Sequence, residues 1–204
     1  MSCITVGIVD YGMGNHASVI HSLRALGFRT KVSSDPAVLD NVDILLIPGV
    51  GAFPAAMQAL HQRGLVGYLQ LQACKQRPII GICLGMQLLA SGSYEFEYTA
   101  GLDIIPGKVV AVGAGKWHIG WNTVECHAPD SPLQLSDGEA FYFNHSFCFR
   151  GPAEYQIGSS RYPDPFASVI QRGSVVGLQF HPEKSQEAGR ILLKNIITEL
   201  AAYD

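Results

Sequence analysis

The chain has 204 residues, of which 48% are hydrophobic and only 15% charged, and its formal net charge is −3. Such a composition favours one well-buried core over disorder. With no lysine or arginine cluster there is no footprint for nucleic-acid phosphates, and apolar runs such as 44–47 fall far short of a membrane span.

Residues 4–9 predict a strand that ends at Asp10, followed by a loop over 11–15. Val19, Leu23 and Leu26 recur at helical spacing and Gly27 stops that helix. Residues 28–32 and 43–47 predict strands, the second running into Pro48-Gly49-Val50-Gly51. Helices are expected over 55–60 and 65–75, a buried strand over 78–82, and a further helix over 84–90. This alternation predicts an α/β fold with a central, mostly parallel sheet flanked by helices.

Beyond Gly92 the texture changes. Runs at 108–112, 122–126, 140–143 and 174–180 predict antiparallel strands added in the C-terminal half. Residues 185–203 predict a closing helix, with Ser185 placed to cap it. No repeat or long linker divides the chain, so residues 1–204 are expected to form a single domain. Five scattered cysteines (Cys3, Cys74, Cys83, Cys126, Cys148) fit neither a disulfide framework nor a zinc site. With no basic segment ahead of an apolar one at the N-terminus, the expected setting is cytoplasmic.

The sharpest chemical signal is Gly81-Ile82-Cys83-Leu84-Gly85, between a predicted strand and a helix. A nucleophile on a tight strand-to-helix turn needs small residues two positions away on either side, where side chains would otherwise clash. The unpaired N–H groups of a helix start also favour a thiolate. A buried cysteine in a glycine-rich turn would read the same, and the pentapeptide leaves both readings open. The second signal is Gln179-Phe180-His181-Pro182-Glu183. A thiol nucleophile needs a base, and the base needs a group that fixes its tautomer. Spaced two apart, His181 and Glu183 point the same way from an extended segment. Taken alone, His-Pro-Glu is more often a surface turn. The third is Pro48-Gly49-Val50-Gly51, whose glycines free a peptide to turn its N–H toward an oxyanion, or simply make a strand-to-helix turn. The remaining histidines get plain readings: His16 and His21 solvated, His61 and His127 without metal-ligand neighbours. Cys3, Cys74, Cys126 and Cys148 are expected to pack.

Together these segments resemble the class I glutamine amidotransferases. Asp10-Tyr11-Gly12-Met13-Gly14-Asn15, His118-Ile119-Gly120-Trp121-Asn122 and Tyr142-Phe143-Asn144-His145-Ser146 narrow the likeness to the glutaminase subunits of imidazole glycerol phosphate synthase. The resemblance implies a glutaminase that hydrolyses L-glutamine with no metal or cofactor. Its ammonia would pass to a (β/α)₈-barrel cyclase subunit, in a heterodimer that makes imidazole glycerol phosphate and AICAR in histidine biosynthesis. It also implies site roles: Cys83 as nucleophile, His181 as proton shuttle, Glu183 as its orienting acid. Gly49, Val50, Gly51 and Leu84 would form the oxyanion hole, and Gln87 with the His145-Ser146 backbone would bind glutamine. His118, Ile119, Trp121, Asn122 and Lys184 would face the partner.

The chain departs from the family pattern in places. Lys116 is followed by Trp117 and then His118, where the family writes an aliphatic residue and a proline before the histidine. Asn144 stands where an aliphatic residue is usual, and the stretch from Tyr94 to Tyr98 with Glu95 and Glu97 is unusual. None touches Cys83, His181 or Glu183, but they leave open a related partner in the modification of polysaccharide sugars. Two other readings are a catalytically silent interaction subunit, against which the intact Cys83, His181 and Glu183 weigh, and a free-standing γ-glutamyl hydrolase, against which Trp121-Asn122 and Lys184 weigh.

Overall fold

The computed structural model describes residues 4–113, 117–128, 131 and 138–202. Cys3, Lys116 and Tyr203 lie outside the described residues. In chain order the strands and helices are β1 (Thr5–Val9), α1 (His16–Ala25), β2 (Arg29–Ser33), α2 (Pro36–Leu39), β3 (Ile44–Ile47), α3 (Phe53–Gln62), α4 (Leu65–Cys74), β4 (Ile79–Ile82) and α5 (Leu84–Leu88). There follow β5 (Ala90–Ser93), β6 (Thr99–Ala100), β7 (Ile105–Ala111), β8 (His118–Thr123), β9 (Glu125–Cys126), β10 (Ala140–His145), β11 (Phe147–Arg150), β12 (Gln156–Tyr162), β13 (Asp164–Arg172), β14 (Val175–Leu178) and α6 (Gln186–Leu200).

The main sheet has eight strands in the order β2-β1-β3-β4-β14-β13-β12-β9. The five from β2 to β14 are parallel, and β13, β12 and β9 add on antiparallel. A two-stranded ribbon, β10-β8, and a four-stranded sheet, β11-β7-β5-β6, complete the fold.

Strand periodicity sorts the core into two layers. Leu45 and Ile47 of β3 pack on one face with Phe53, Ala56, Met57 and Leu60 of α3. Ile44 and Leu46 pack on the other with Val19 and Leu23 of α1 and Leu192, Leu193, Ile196 and Ile197 of α6. Alternate residues of a strand face opposite sides, while i, i+3, i+4 and i+7 share one side of a helix, so both patterns converge on these layers. Each such burial stabilises the fold by about 1.5–3 kcal/mol before chain entropy is counted.

Four expectations change. The helix predicted over 84–90 stops at Leu88, because the returning segment takes its last carbonyls: Leu102 N–H donates to Leu88 and Ile104 N–H to Leu89, and Ala90 opens β5. The run at 174–180 is not antiparallel to what precedes it in the sheet alone; β14 also lies parallel to β4, with Leu178 opposite Ile82. The run at 122–126 divides between β8 and β9, which belong to different sheets. Ser185 makes no side-chain cap; its hydroxyl donates to the His181 carbonyl at 2.6 Å and accepts from Tyr142 N–H at 3.0 Å. The short helix α2 escaped the sequence reading, although Asp35 caps it and Pro36 opens it.

Candidate active site

The adjacent parallel strands β3, β4 and β14 carry the three sequence signals to one end of the sheet. Cys83 follows β4 directly, at φ 55° and ψ −111°. That left-handed backbone is strained for a residue with a side chain. Its N–H donates to Leu178 at 2.7 Å, tying the elbow to β14. A Cβ on Gly81 would lie 2.6 Å from the Gly85 carbonyl oxygen, and one on Gly85 would overlap the Ile47 carbonyl oxygen. Both glycines are therefore steric requirements of the turn, as the spacing implied.

β14 leads through Gln179 and Phe180 to His181. Its Nδ1 lies 2.8 Å from Glu183 Oε1, with both side chains buried. The two meet through a 3₁₀ turn over Pro182–Lys184 rather than along an extended segment. Ser185 and the His181 N–H, which donates to Tyr142 at 2.9 Å, pin this turn to β10. Burial by itself lowers the His181 pKa, but hydrogen bonds to Cys83 and Glu183 and the negative charge on both raise it to about 10. These surroundings favour the charged form of the ring. Cys83 Sγ also faces the Asn144 carbonyl at 3.8 Å and the Gln179 amide at 4.0 Å.

Around these groups lies a cavity of about 340 Å³. Val50, Gly51, Leu84, Gln87, His145, Ser146 and Lys184 line it together with Cys83 and His181. Gly49 lies beneath the rim, its backbone packed against Leu84 and the start of α5 so closely that a side chain would overlap Gly85 N. Gly51 takes φ +104°, a conformation suited to glycine. Gln87 Nε2 donates to the Phe147 carbonyl at 2.9 Å and to Gln179 Oε1 at 3.2 Å.

Not every expected partner-facing residue lies on the surface. Ile119 and Trp121 are exposed, but His118 is only 3% exposed and stacks on Tyr162 and Phe143. Its ring joins a buried chain whose direction the carbonyl fixes. His145 Nδ1–H donates to the Phe147 carbonyl at 2.8 Å, so Nε2 is free to accept from His118 Nδ1–H at 2.9 Å. His118 Nε2 then accepts from the Asn122 amide at 3.3 Å. Burial lowers both pKa values, that of His145 to about 4, which keeps the rings neutral.

Two more expectations need correcting. His16 is half-buried rather than solvated, with its Nε2 shielded from solvent. Cys74 is exposed, so it is not a packing residue. A residue the sequence gives no role also belongs to the site: Glu95 is buried, lines the cavity and accepts the Phe53 N–H at 2.8 Å. No spacing rule links Glu95 to Cys83; the hairpin formed by β5 and β6 brings it there. Among the described residues no helix is long and apolar enough to cross a membrane.

Comparison with known proteins identifies the family of the chain. The family model for glutamine amidotransferase class-I matches residues 7–200. The imidazole glycerol phosphate synthase subunit HisH of Lacticaseibacillus casei is 44% identical over 191 residues, covering 92% of each chain. HisH of Moorella thermoacetica is 43% identical over 195 residues, covering 93% of this chain and 92% of its own. Solved structures share the fold at lower identity. PurLQS from Thermotoga maritima aligns over 97% of this chain and 99% of its own, with a TM-score of 0.78 and 18% identity. A glutamine amidotransferase from the same organism aligns over 98% and 99%, with a TM-score of 0.71 and 16% identity. The chain belongs to the class I glutamine amidotransferases, in the group of imidazole glycerol phosphate synthase HisH subunits.

Proposed function

We propose that this chain hydrolyses L-glutamine to glutamate and ammonia with Cys83, His181 and Glu183, and delivers the ammonia to a cyclase subunit of (β/α)₈-barrel fold. The observation that carries this reading is a strained cysteine and a charge-supported histidine lining one cavity, with the buried Glu183 carboxylate bonded to that histidine at 2.8 Å.

In the first step the Cys83 thiolate attacks the carboxamide carbon, and the carbonyl electrons move onto oxygen. N–H groups of Leu84 and Val50 take up that charge; losing one such donor costs roughly 10²–10³ in rate. When the C–N bond breaks, His181 gives its proton to the leaving nitrogen, so ammonia departs and a thioester remains. Water then attacks the thioester, with His181 now accepting a proton, and glutamate and the free thiol are released. Glu183 holds Nδ1–H throughout, so that the other ring nitrogen faces the reacting atoms.

Gln87 and the His145-Ser146 backbone bound the substrate, and the Glu95 carboxylate supplies the charge to hold its α-ammonium group. Exposed Val50, Ile119 and Trp121, with Lys184 at the cavity rim, form the face for the cyclase. Docking there would set the Val50 peptide toward Cys83, so hydrolysis by the isolated subunit is expected to be slow. The test is glutamine turnover by the pure chain, alone and with the cyclase and its acceptor nucleotide. No hydrolysis in either condition refutes the reading.

A further inference from the structure

Trp117 and Asn144 lie 27 residues apart in the chain, and the fold pairs them. Trp117 Nε1–H donates to Asn144 Oδ1 at 2.9 Å. Tyr162 O–H donates to the Trp117 carbonyl at 3.1 Å, so this residue is held at its main chain as well as its side chain. Both members of the pair line the cavity that contains Cys83. Asn144 also meets the nucleophile, through its carbonyl 3.8 Å from Cys83 Sγ. One residue therefore touches the nucleophile with its main chain and the rim with its side chain.

The indole is 62% exposed, as are Ile119 and Trp121 to a similar degree. Ile119 and Trp121 alternate along β8 with buried His118, and Trp117 directly precedes that strand, so the three exposed side chains follow one another at every second residue. The exposed apolar face of a tethered indole buries nothing in the isolated chain, but it is a rigid anchor when covered by a partner. Ammonia is small and neutral when formed. Once in water at neutral pH it takes a proton and ceases to be a nucleophile.

We propose that the Trp117–Asn144 bridge seals the catalytic cavity on its partner side, so that ammonia passes to the partner rather than to solvent. This rests on the ammonia-transfer reading above. The bridge is a positioning element: it makes no bond to substrate, and it acts by closing the route to water between the rim and the covering subunit.

The experiment uses the complex of the full chain with the cyclase, glutamine and acceptor nucleotide, and counts glutamate formed for each acceptor aminated. In the wild type the two are expected in equal amounts. Trp117→Ala and Asn144→Leu should raise glutamate per aminated acceptor by about twofold or more as the seal opens. Trp117→Phe keeps the ring without the N–H and should fall between. The count is a ratio, so a slower variant still reports. With ammonium salt replacing glutamine, all variants should aminate the acceptor at the wild-type rate, because the leak lies upstream of the partner's chemistry. An unchanged ratio in both Trp117→Ala and Asn144→Leu overturns the seal. If the wild-type complex hydrolyses glutamine but aminates nothing, the ammonia-transfer reading itself falls.

Discussion

The Tyr11 hydroxyl, fully buried, donates to the Pro48 carbonyl at 2.6 Å. The bond ties the loop after β1 to the turn that carries Gly49, Val50 and Gly51. Burial raises the phenol's pKa, and the nearby charge of Cys83 adds to the rise, so the hydroxyl stays a donor. The bond thus fixes the carbonyl immediately before Gly49. Tyr11→Phe removes the donor and leaves that carbonyl unpaired, which should cost about 1–3 kcal/mol of stability. With the cyclase present, kcat should fall while KM for glutamine holds. A variant that melts and turns over like the wild type would remove this role.

Cys83→Ala should abolish glutamine hydrolysis and leave partner binding intact, because the small side chain still suits the turn. Ammonia release by that variant, measured after removal of any free glutaminase, would refute the nucleophile assignment.

His181 and Glu183 should separate by degree. Glu183→Gln still offers an oxygen to Nδ1–H, whereas His181→Ala removes the proton carrier. Turnover should fall much further in His181→Ala. Equal losses would mean that Glu183 takes part in proton transfer itself.

The buried His145 ring makes stability depend on pH. Its pKa is about 4 in the fold against an ordinary 6.5, so the fold favours the neutral form. The contribution is complete above about pH 6.5 and disappears as pH falls toward 4, amounting to on the order of 3 kcal/mol. His118 acts in the same direction. His181 has the opposite sign: its raised pKa stabilises the fold below about 6.5 and that contribution is lost as pH rises through 10. Urea unfolding at pH 7 and pH 4.5 should show a smaller acid loss in His145→Gln than in the wild type. Identical losses would rule out this ring as a source.

Two glycine substitutions should act in opposite directions. Gly85→Ala drives a Cβ into the Ile47 carbonyl and should prevent folding or cost several kcal/mol. Gly67, inside α4, has open space where its Cβ would go. Gly67→Ala should raise stability by about 0.5–1 kcal/mol. Thermal melts of the two variants check both signs.

The local requirements of this protein were legible in its sequence. Gly81 and Gly85 around Cys83 declare a turn that tolerates no side chain at either place, and the unbroken apolar run of β3 declares a sheet covered on both faces. His181 and Glu183 could be paired because they are two residues apart. What sequence spacing does not encode is which distant segments share a wall. Glu95 reaches the cavity only because the hairpin of β5 and β6 folds over α3. His118 turns inward because its strand pairs with β10 in the register that sets it opposite His145. The parallel alignment of β14 with β4 brings the histidine turn beside the cysteine elbow, and that pairing joins segments about a hundred residues apart. Trp117 and Asn144 read separately as two irregularities. They become one hydrogen-bonded feature only when β8 and β10 lie side by side, because contact across strands follows register and not distance along the chain.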